Sequence, residues 1–235
     1  MKINTLYNMD CLEGMKLIEE KSVDMILCDL PYGVTDCKWD SVIPLNLLWE
    51  QYNRIIKDNG AILLFAVQPF TTKLINSNKK HFRYCWYWKK NNVTGAPFAK
   101  VQPMRCIEDI CVFYKHAPVY NPQGIVKLEK PIINKTNNKT DIYTYRGKGN
   151  VQKYTNYPKH LIEFKKDKEQ LHPTQKPVAL CEYLIKTYTN AGDLVLDNCA
   201  GSGTTLIACK NTKRNFIGFE NNKHYYNIAV ERIAA

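Results

Sequence analysis

Short, continuous apolar runs bounded by turn residues alternate along this chain with helix-length segments, and that rhythm constrains the fold more than any other feature. Runs at 23–28, 61–67, 110–114, 194–196 and 215–219 read as strands buried on both faces, because a strand covered by helices on each side has no wet face to alternate with. Segments at 45–57, 70–78, 178–189, 204–211 and 222–233 are long enough for helices. Strand and helix in this alternation predict an α/β fold with a mostly parallel sheet. Shorter runs at 3–7 and 83–88 bring the sheet to about seven strands.

Residues 115–170 break the rhythm. They are rich in Lys, Asn, Tyr and Thr, include Gly147-Lys148-Gly149-Asn150, and read as an irregular insertion. Tyr120, Tyr143, Tyr145, Tyr154 and Tyr157 give it more aromatic content than a disordered segment carries. The expected organisation is one domain in two halves, 1–114 and 171–235, with 115–170 inserted between them. A chain of 235 residues suffices for one substantial core and a small extra lobe.

Charge narrows the partners. With 33 Lys and Arg against 22 Asp and Glu, the net charge is +11, which attracts polyanions and makes nucleic acid the first partner to consider. The nine cysteines contain no Cys-x-x-Cys pair, so neither a zinc site nor a thioredoxin-type motif is expected. Cys28 and Cys111 lie inside apolar runs, as small buried hydrophobes do, and this usage fits a reducing cytoplasm. No apolar stretch approaches the ~20 residues of a membrane span, and the first residues show no signal-peptide pattern.

Two loops carry chemistry. Asp29-Leu30-Pro31-Tyr32 follows the apolar run 23–28, so it falls at the carboxyl end of a strand, where open α/β sheets bind ligands. A carboxylate and a free main-chain carbonyl beside an aromatic face suit an amino group attached to an aromatic ring. Asp197-Asn198-Cys199-Ala200-Gly201-Ser202-Gly203-Thr204-Thr205 follows a second run and enters a helix. Its glycines permit a tight turn and close approach of a ligand to the backbone. It lacks the Gly-Lys-Ser/Thr ending of a P-loop. Glu220 ends the next strand, where a carboxylate in nucleotide-binding folds grips ribose hydroxyls.

These motifs resemble those of the beta-group DNA amino-methyltransferases. Asp29-Leu30-Pro31-Tyr32 is similar to the catalytic Asp-Pro-Pro-Tyr motif, with Leu30 in place of Pro; Asp197 to Gly203 is similar to the cofactor loop Asp-Pro-Phe-x-Gly-Ser-Gly, with Asn198 and Cys199 in place of Pro and Phe. His172-Pro173-Thr174-Gln175-Lys176-Pro177 matches the family segment before the first cofactor helix. Catalytic loop first and cofactor loop last implies a circularly permuted, Rossmann-like methyltransferase fold.

The resemblance implies site-specific transfer of a methyl group from S-adenosylmethionine to a base amino group in DNA, without a metal. The leading Asp favours adenine N6; cytosine N4 is the alternative on the same scaffold. A DNA-binding protein that has lost catalysis through the changes at Leu30, Asn198 and Cys199 is the rival of another class. Transfer through cytosine C5 is not expected, because it needs a nucleophilic cysteine that in the corresponding family normally follows a proline, and none of the eleven prolines here is followed by Cys. Asp29 and the Leu30 carbonyl would accept the amino hydrogens, Pro31 would stiffen the loop, and Tyr32 would stack on a base rotated out of the duplex. Asp197, Ala200, Gly201, Ser202, Gly203 and Thr204 would form the cofactor loop and Glu220 would hold the ribose. Thr174 and Lys176 would meet the methionine carboxylate. Asp10 would accept from the cofactor's adenine amino group, or else cap the helix that follows it. The insertion takes the place of the target-recognition region. A homodimer and a cognate restriction endonuclease are the partners the resemblance allows. Trp86 and Trp88 read as core, and Lys89-Lys90 as a solvated edge.

Overall fold

The computed structural model describes residues 1–33, 42–134, 149–169 and 171–234. They form two compact units, one of residues 1–121 with 160–235 and a second of residues 122–159.

The first unit is built on an eight-stranded sheet. In chain order its strands are β1 (Thr5–Tyr7), β2 (Val23–Asp29), β3 (Ile56–Ala66), β4 (Phe82–Thr94), β5 (Arg105–Phe113), β8 (Leu161–Glu163), β9 (Leu194–Asp197) and β10 (Asn215–Phe219). Across the sheet they run β1-β10-β9-β2-β3-β5-β4-β8. Only β5 opposes its neighbours, so the sheet is mostly parallel, as the alternating pattern predicts. The eighth strand is a difference from the sequence reading. Leu161–Glu163 lies inside the expected insertion, and it joins the sheet because β4 is longer than its apolar run and pairs Tyr87, Trp88 and Lys89 with it.

Each strand feeds two cores. Met25 and Leu27 of β2 face one side with Leu63 and Phe65 of β3, and meet α4 (Val178–Tyr188), α5 (Thr204–Asn211) and α6 (Lys223–Ala234) through Leu184, Leu206 and Ala229. Ile26 and Cys28 face the other side with Leu64, against α1 (Cys11–Lys16), α2 (Leu45–Ile55) and α3 (Phe70–Ser77) through Met15, Leu48 and Leu74. Alternate residues therefore go to opposite helical layers, each large side chain contributing roughly 1.5–3 kcal/mol by burial. This is why β2 reads as an unbroken apolar run. Gly14 marks the closest approach of α1, since a Cβ there would fall 2.3 Å from the Phe219 ring.

The second unit is a hairpin of β6 (Val126–Asn134) and β7 (Asn150–Thr155), paired antiparallel. It is narrower than the expected insertion, and Tyr143, Tyr145, Gly147 and Lys148 lie outside the described residues. Ile132, Ile133, Val151, Tyr154 and Tyr157 are exposed on it. Among the described residues no helix is long and apolar enough to cross a membrane.

Candidate active site

The strand order reverses its direction of growth between β9 and β2, because β2 connects onward to β3 on one side and β9 to β10 on the other. Brought side by side, the carboxyl ends of β2 and β9 leave a crevice of the kind in which doubly wound sheets bind ligands. Asp29 ends one strand and Asp197 the other. A cavity of about 630 Å³ opens there. Asp10, Asp29, Leu30, Pro31, Tyr32, Thr174, Lys176, Asp197, Ala200, Gly201, Ser202, Thr204 and Glu220 all line it, so two loops far apart in sequence share one chamber. Gly203 is the exception. It sits at the start of α5 with φ +82°, and a Cβ there would lie 3.0 Å from that of Ala229. Its place is the turn into the helix and the packing against α6.

On the β2 side the structure shows a chain of charges. Asp29 Oδ1 accepts the Tyr32 hydroxyl at 2.5 Å, and Asp29 Oδ2 accepts the Lys176 ammonium at 2.5 Å. Lys176 Nζ also lies 3.4 Å from Glu108 Oε2, and Glu108 Oε1 accepts from Lys90 Nζ at 2.9 Å. Burial pushes the Asp29 carboxyl above its usual range; Lys176 opposes that rise and Glu108 adds to it. Burial pushes Glu108 up as well, but Lys176 and Lys90 outweigh it and hold the group below the usual range. Lys176 would be depressed by burial, yet Asp29 and Glu108 keep it firmly protonated. Its ammonium also lies 5.2 Å from the centre of the Phe65 ring. Lys176, expected to meet a methionine carboxylate, lines the cavity and is paired here with the Asp29–Tyr32 loop. The reason is the carboxylate already waiting at the end of β2. Tyr32 packs its ring 5.2 Å from that of Phe70.

On the β9 side, backbone and carboxylates interlock. Glu220 accepts from the Gly201 N–H at 2.8 Å and from the Asn222 N–H at 2.7 Å, and burial raises its carboxyl against those donors. Asp197 accepts from the Cys199 N–H at 3.1 Å, and burial pushes it up to about 6. Asp10 caps α1, its Oδ1 accepting from the Leu12 and Glu13 N–H groups at 2.9 and 3.1 Å, while the same side chain edges the cavity. The Thr174 hydroxyl lies 3.0 Å from His172 Nδ1, and burial brings His172 down to about 4. Ser202 Oγ lies 3.2 Å from Gln175 Oε1, which ties the loop to the segment before α4. Asn198 accepts from the Tyr52 hydroxyl at 2.5 Å. A nucleoside cofactor fits this side by chemistry as well as by room: the acidic residues Asp10, Asp197 and Glu220 line the cavity, and the hydroxyl of Thr204, another lining residue, is buried with no hydrogen-bond partner among the described residues. Among those residues no group of three or more His, Cys, Asp or Glu could hold a metal ion.

Glu108 and Lys90 escaped the sequence reading. Lys89 is exposed and pairs with Glu163, but Lys90 is buried, so the expected solvated edge is half correct. Strand parity was the signal. Lys90 follows Trp86 and Trp88 at steps of two, Glu108 precedes Ile110 and Val112 in the same way, and those four apolar residues share one core. Opposite charges on the inward faces of paired strands have each other as partners.

Comparison with known proteins identifies the family to which this fold belongs. The family model for DNA methylases of the N6/N4 type matches residues 23–231, and the chain belongs to that family. Its methyl donor is S-adenosylmethionine. The DNA adenine methyltransferase YhdJ of Escherichia coli (strain K12) is 28% identical over 249 residues, covering 97% of this chain and 82% of that protein. The crystal structure of the M1.HpyAVI–SAM complex superposes with a TM-score of 0.67 at 26% identity, covering 97% and 98% of the two chains. The PvuII cytosine-N4-specific DNA methyltransferase shares the fold with a TM-score of 0.73 at 15% identity, over 98% of this chain and 89% of that one.

Proposed function

We propose that this DNA methyltransferase is site-specific and methylates adenine N6 by direct transfer to a base rotated out of the duplex. The observation that carries the reading is that the Asp29 carboxylate and the glycine loop face one cavity. S-adenosylmethionine, when bound, supplies an electrophilic methyl group on a sulfonium. The adenine amino nitrogen is a weak nucleophile, because its lone pair is delocalised into the ring. Asp29 and the Leu30 carbonyl accept hydrogen bonds from its two N–H groups and favour a tetrahedral nitrogen with an available lone pair; as that nitrogen takes the methyl from sulfur it sheds one proton, which Asp29 can receive and pass to solvent. The Tyr32 hydroxyl now holds Asp29 Oδ1, so it swings off that oxygen when the base arrives and leaves its ring as the stacking face. The leading Asp supports adenine over cytosine. Expression in a host without amino-methylated DNA, followed by nucleoside analysis, tests this: N6-methyladenine is expected, and N4-methylcytosine in its place would overturn the adenine assignment.

Glu220 holds the cofactor ribose in this reading, and Asp10, Thr174 and the loop from Asp197 to Thr204 complete the pocket. Glu220→Ala should weaken S-adenosylmethionine binding by about 10- to 100-fold, the worth of hydrogen bonds to a charged acceptor. Calorimetry reads it, and unchanged affinity would remove Glu220 from the ribose. The hairpin unit supplies target recognition, through side chains reaching base edges. The family resemblance allows a homodimer and a cognate restriction endonuclease as partners, and the cysteine usage fits a reducing cytoplasm.

A further inference from the structure

We propose that Glu108 is a positioning residue for methyl transfer, which fixes the place and charge of Asp29 through Lys176 and is itself anchored from the far side by Lys90. The inference rests on the reading of Asp29 as the acceptor for the target amino group.

Geometry makes the case. Four charged side chains from four separate segments form one line: Asp29 at the end of β2, Lys176 before α4, Glu108 on β5 and Lys90 on β4. The lysine and glutamate side chains in it are 5–14% exposed. Buried charges are retained at a large desolvation cost and are stable only when paired, so removing one partner leaves the next uncompensated. Glu108 Oε2 is buried and makes no hydrogen bond, leaving the 3.4 Å ion pair with Lys176 as its polar interaction among the described residues. Glu108 is not among the residues that line the cavity. It acts on one that does. Lys176 is pulled between two carboxylates, and this fixes where its ammonium sits and hence which Asp29 oxygen it occupies. Oδ2 is taken, and Oδ1 is left to face Tyr32 and the incoming base.

The titratable groups facing Asp29 are Lys176, Glu108, the Tyr32 hydroxyl, Asp197 at the end of the neighbouring β9, Cys28 beside it on β2 and Cys181 on α4. Lys166 faces Lys90, Glu108 and Lys176. Within this set Glu108 raises the Asp29 carboxyl and Lys176 lowers it. A carboxylate must be ionised to accept an amino hydrogen, so activity rises with pH through the titration of Asp29. Removing the negative charge of Glu108 lowers that titration; removing Lys90 strips a positive charge from the line while Lys176 keeps Glu108 ionised, and raises it.

The test is the pH profile of single-turnover methyl transfer on unmethylated genomic DNA, with S-adenosylmethionine affinity and thermal unfolding measured alongside. Glu108→Gln is expected to lose rate by ~10- to 100-fold, the scale of a misplaced reacting group, with cofactor affinity unchanged and the acidic limb displaced to lower pH. Lys90→Met is expected to displace that limb to higher pH. Opposite displacements support the proposal. Unmoved limbs, limbs displaced in one direction by both variants, or a rate loss matched by loss of cofactor affinity would overturn it and leave a structural role. Should Glu108→Gln not fold, Lys90→Met decides alone, a limb at higher pH supporting the proposal and a wild-type limb overturning it. Asp29→Asn separates the two levels. If it retains transfer, the reading of Asp29 itself fails, whatever the other variants do.

Discussion

Asp29→Ala should keep its fold and bind S-adenosylmethionine as wild type does, yet lose methyl transfer by at least ~10²–10³-fold, the usual cost of one preorganised partner at a developing charge. Asp29 contributes more than charge, because it also holds the nucleophile in line, and misorientation adds to the loss. The fold should survive because Asp29 lies at a strand end, partly exposed, where alanine leaves the β2 core residues Met25 to Cys28 untouched. Lys176 would keep Glu108 as its counter-ion. Tyr32→Phe is the matched control. It keeps the ring against Phe70 but removes the hydroxyl that occupies Asp29 Oδ1, so it should retain most activity, while Tyr32→Ala, without a stacking face, should not. Single-turnover assays with parallel cofactor titration distinguish these variants, and near-normal transfer by Asp29→Ala would falsify the site.

The parts of this molecule that were legible in its sequence are those written in local patterns. Unbroken apolar runs gave the central strands, because burial on both faces leaves a composition signature within six residues. The turn residues of both loops gave the two sides of the cavity, because strand ends, glycines and a carboxylate are chemistry that can be read in order. Pairings between distant segments were not legible in this way. Nothing near Lys176 in sequence announces Asp29 or Glu108, and its place in a motif suggested a cofactor contact. β8 has three residues and one buried side chain, too little pattern to mark it as a strand before the edge of β4 is known to need a partner. Asp10 shows a third situation, where the two alternatives are compatible: one carboxylate oxygen caps α1 while the side chain borders the cavity.

DNA affinity should fall by ~10³–10⁵-fold between about 50 and 200 mM salt, the behaviour of a protein neutralising six to ten phosphates. The net charge of +11 favours binding driven by counterion release from the phosphates. The excess is uneven. Between residues 122 and 159 the lysines at 127, 130, 135, 139, 148, 153 and 159, with Arg146, outnumber Glu129 and Asp141, so the segment that interrupts the α/β pattern is also strongly basic. A phosphate contact positions without reading sequence, whereas a base-edge contact reads sequence with less dependence on salt. Lys130→Gln and Lys153→Gln should therefore each lower the log–log slope by about one if the side chain meets a phosphate, and leave the preferred site unchanged. A variant that relaxes the preferred site at constant slope has instead touched a base. Fluorescence anisotropy on matched and scrambled duplexes across a salt series reads both quantities, and a flat response in the wild type would remove duplex DNA as the species this charge attracts.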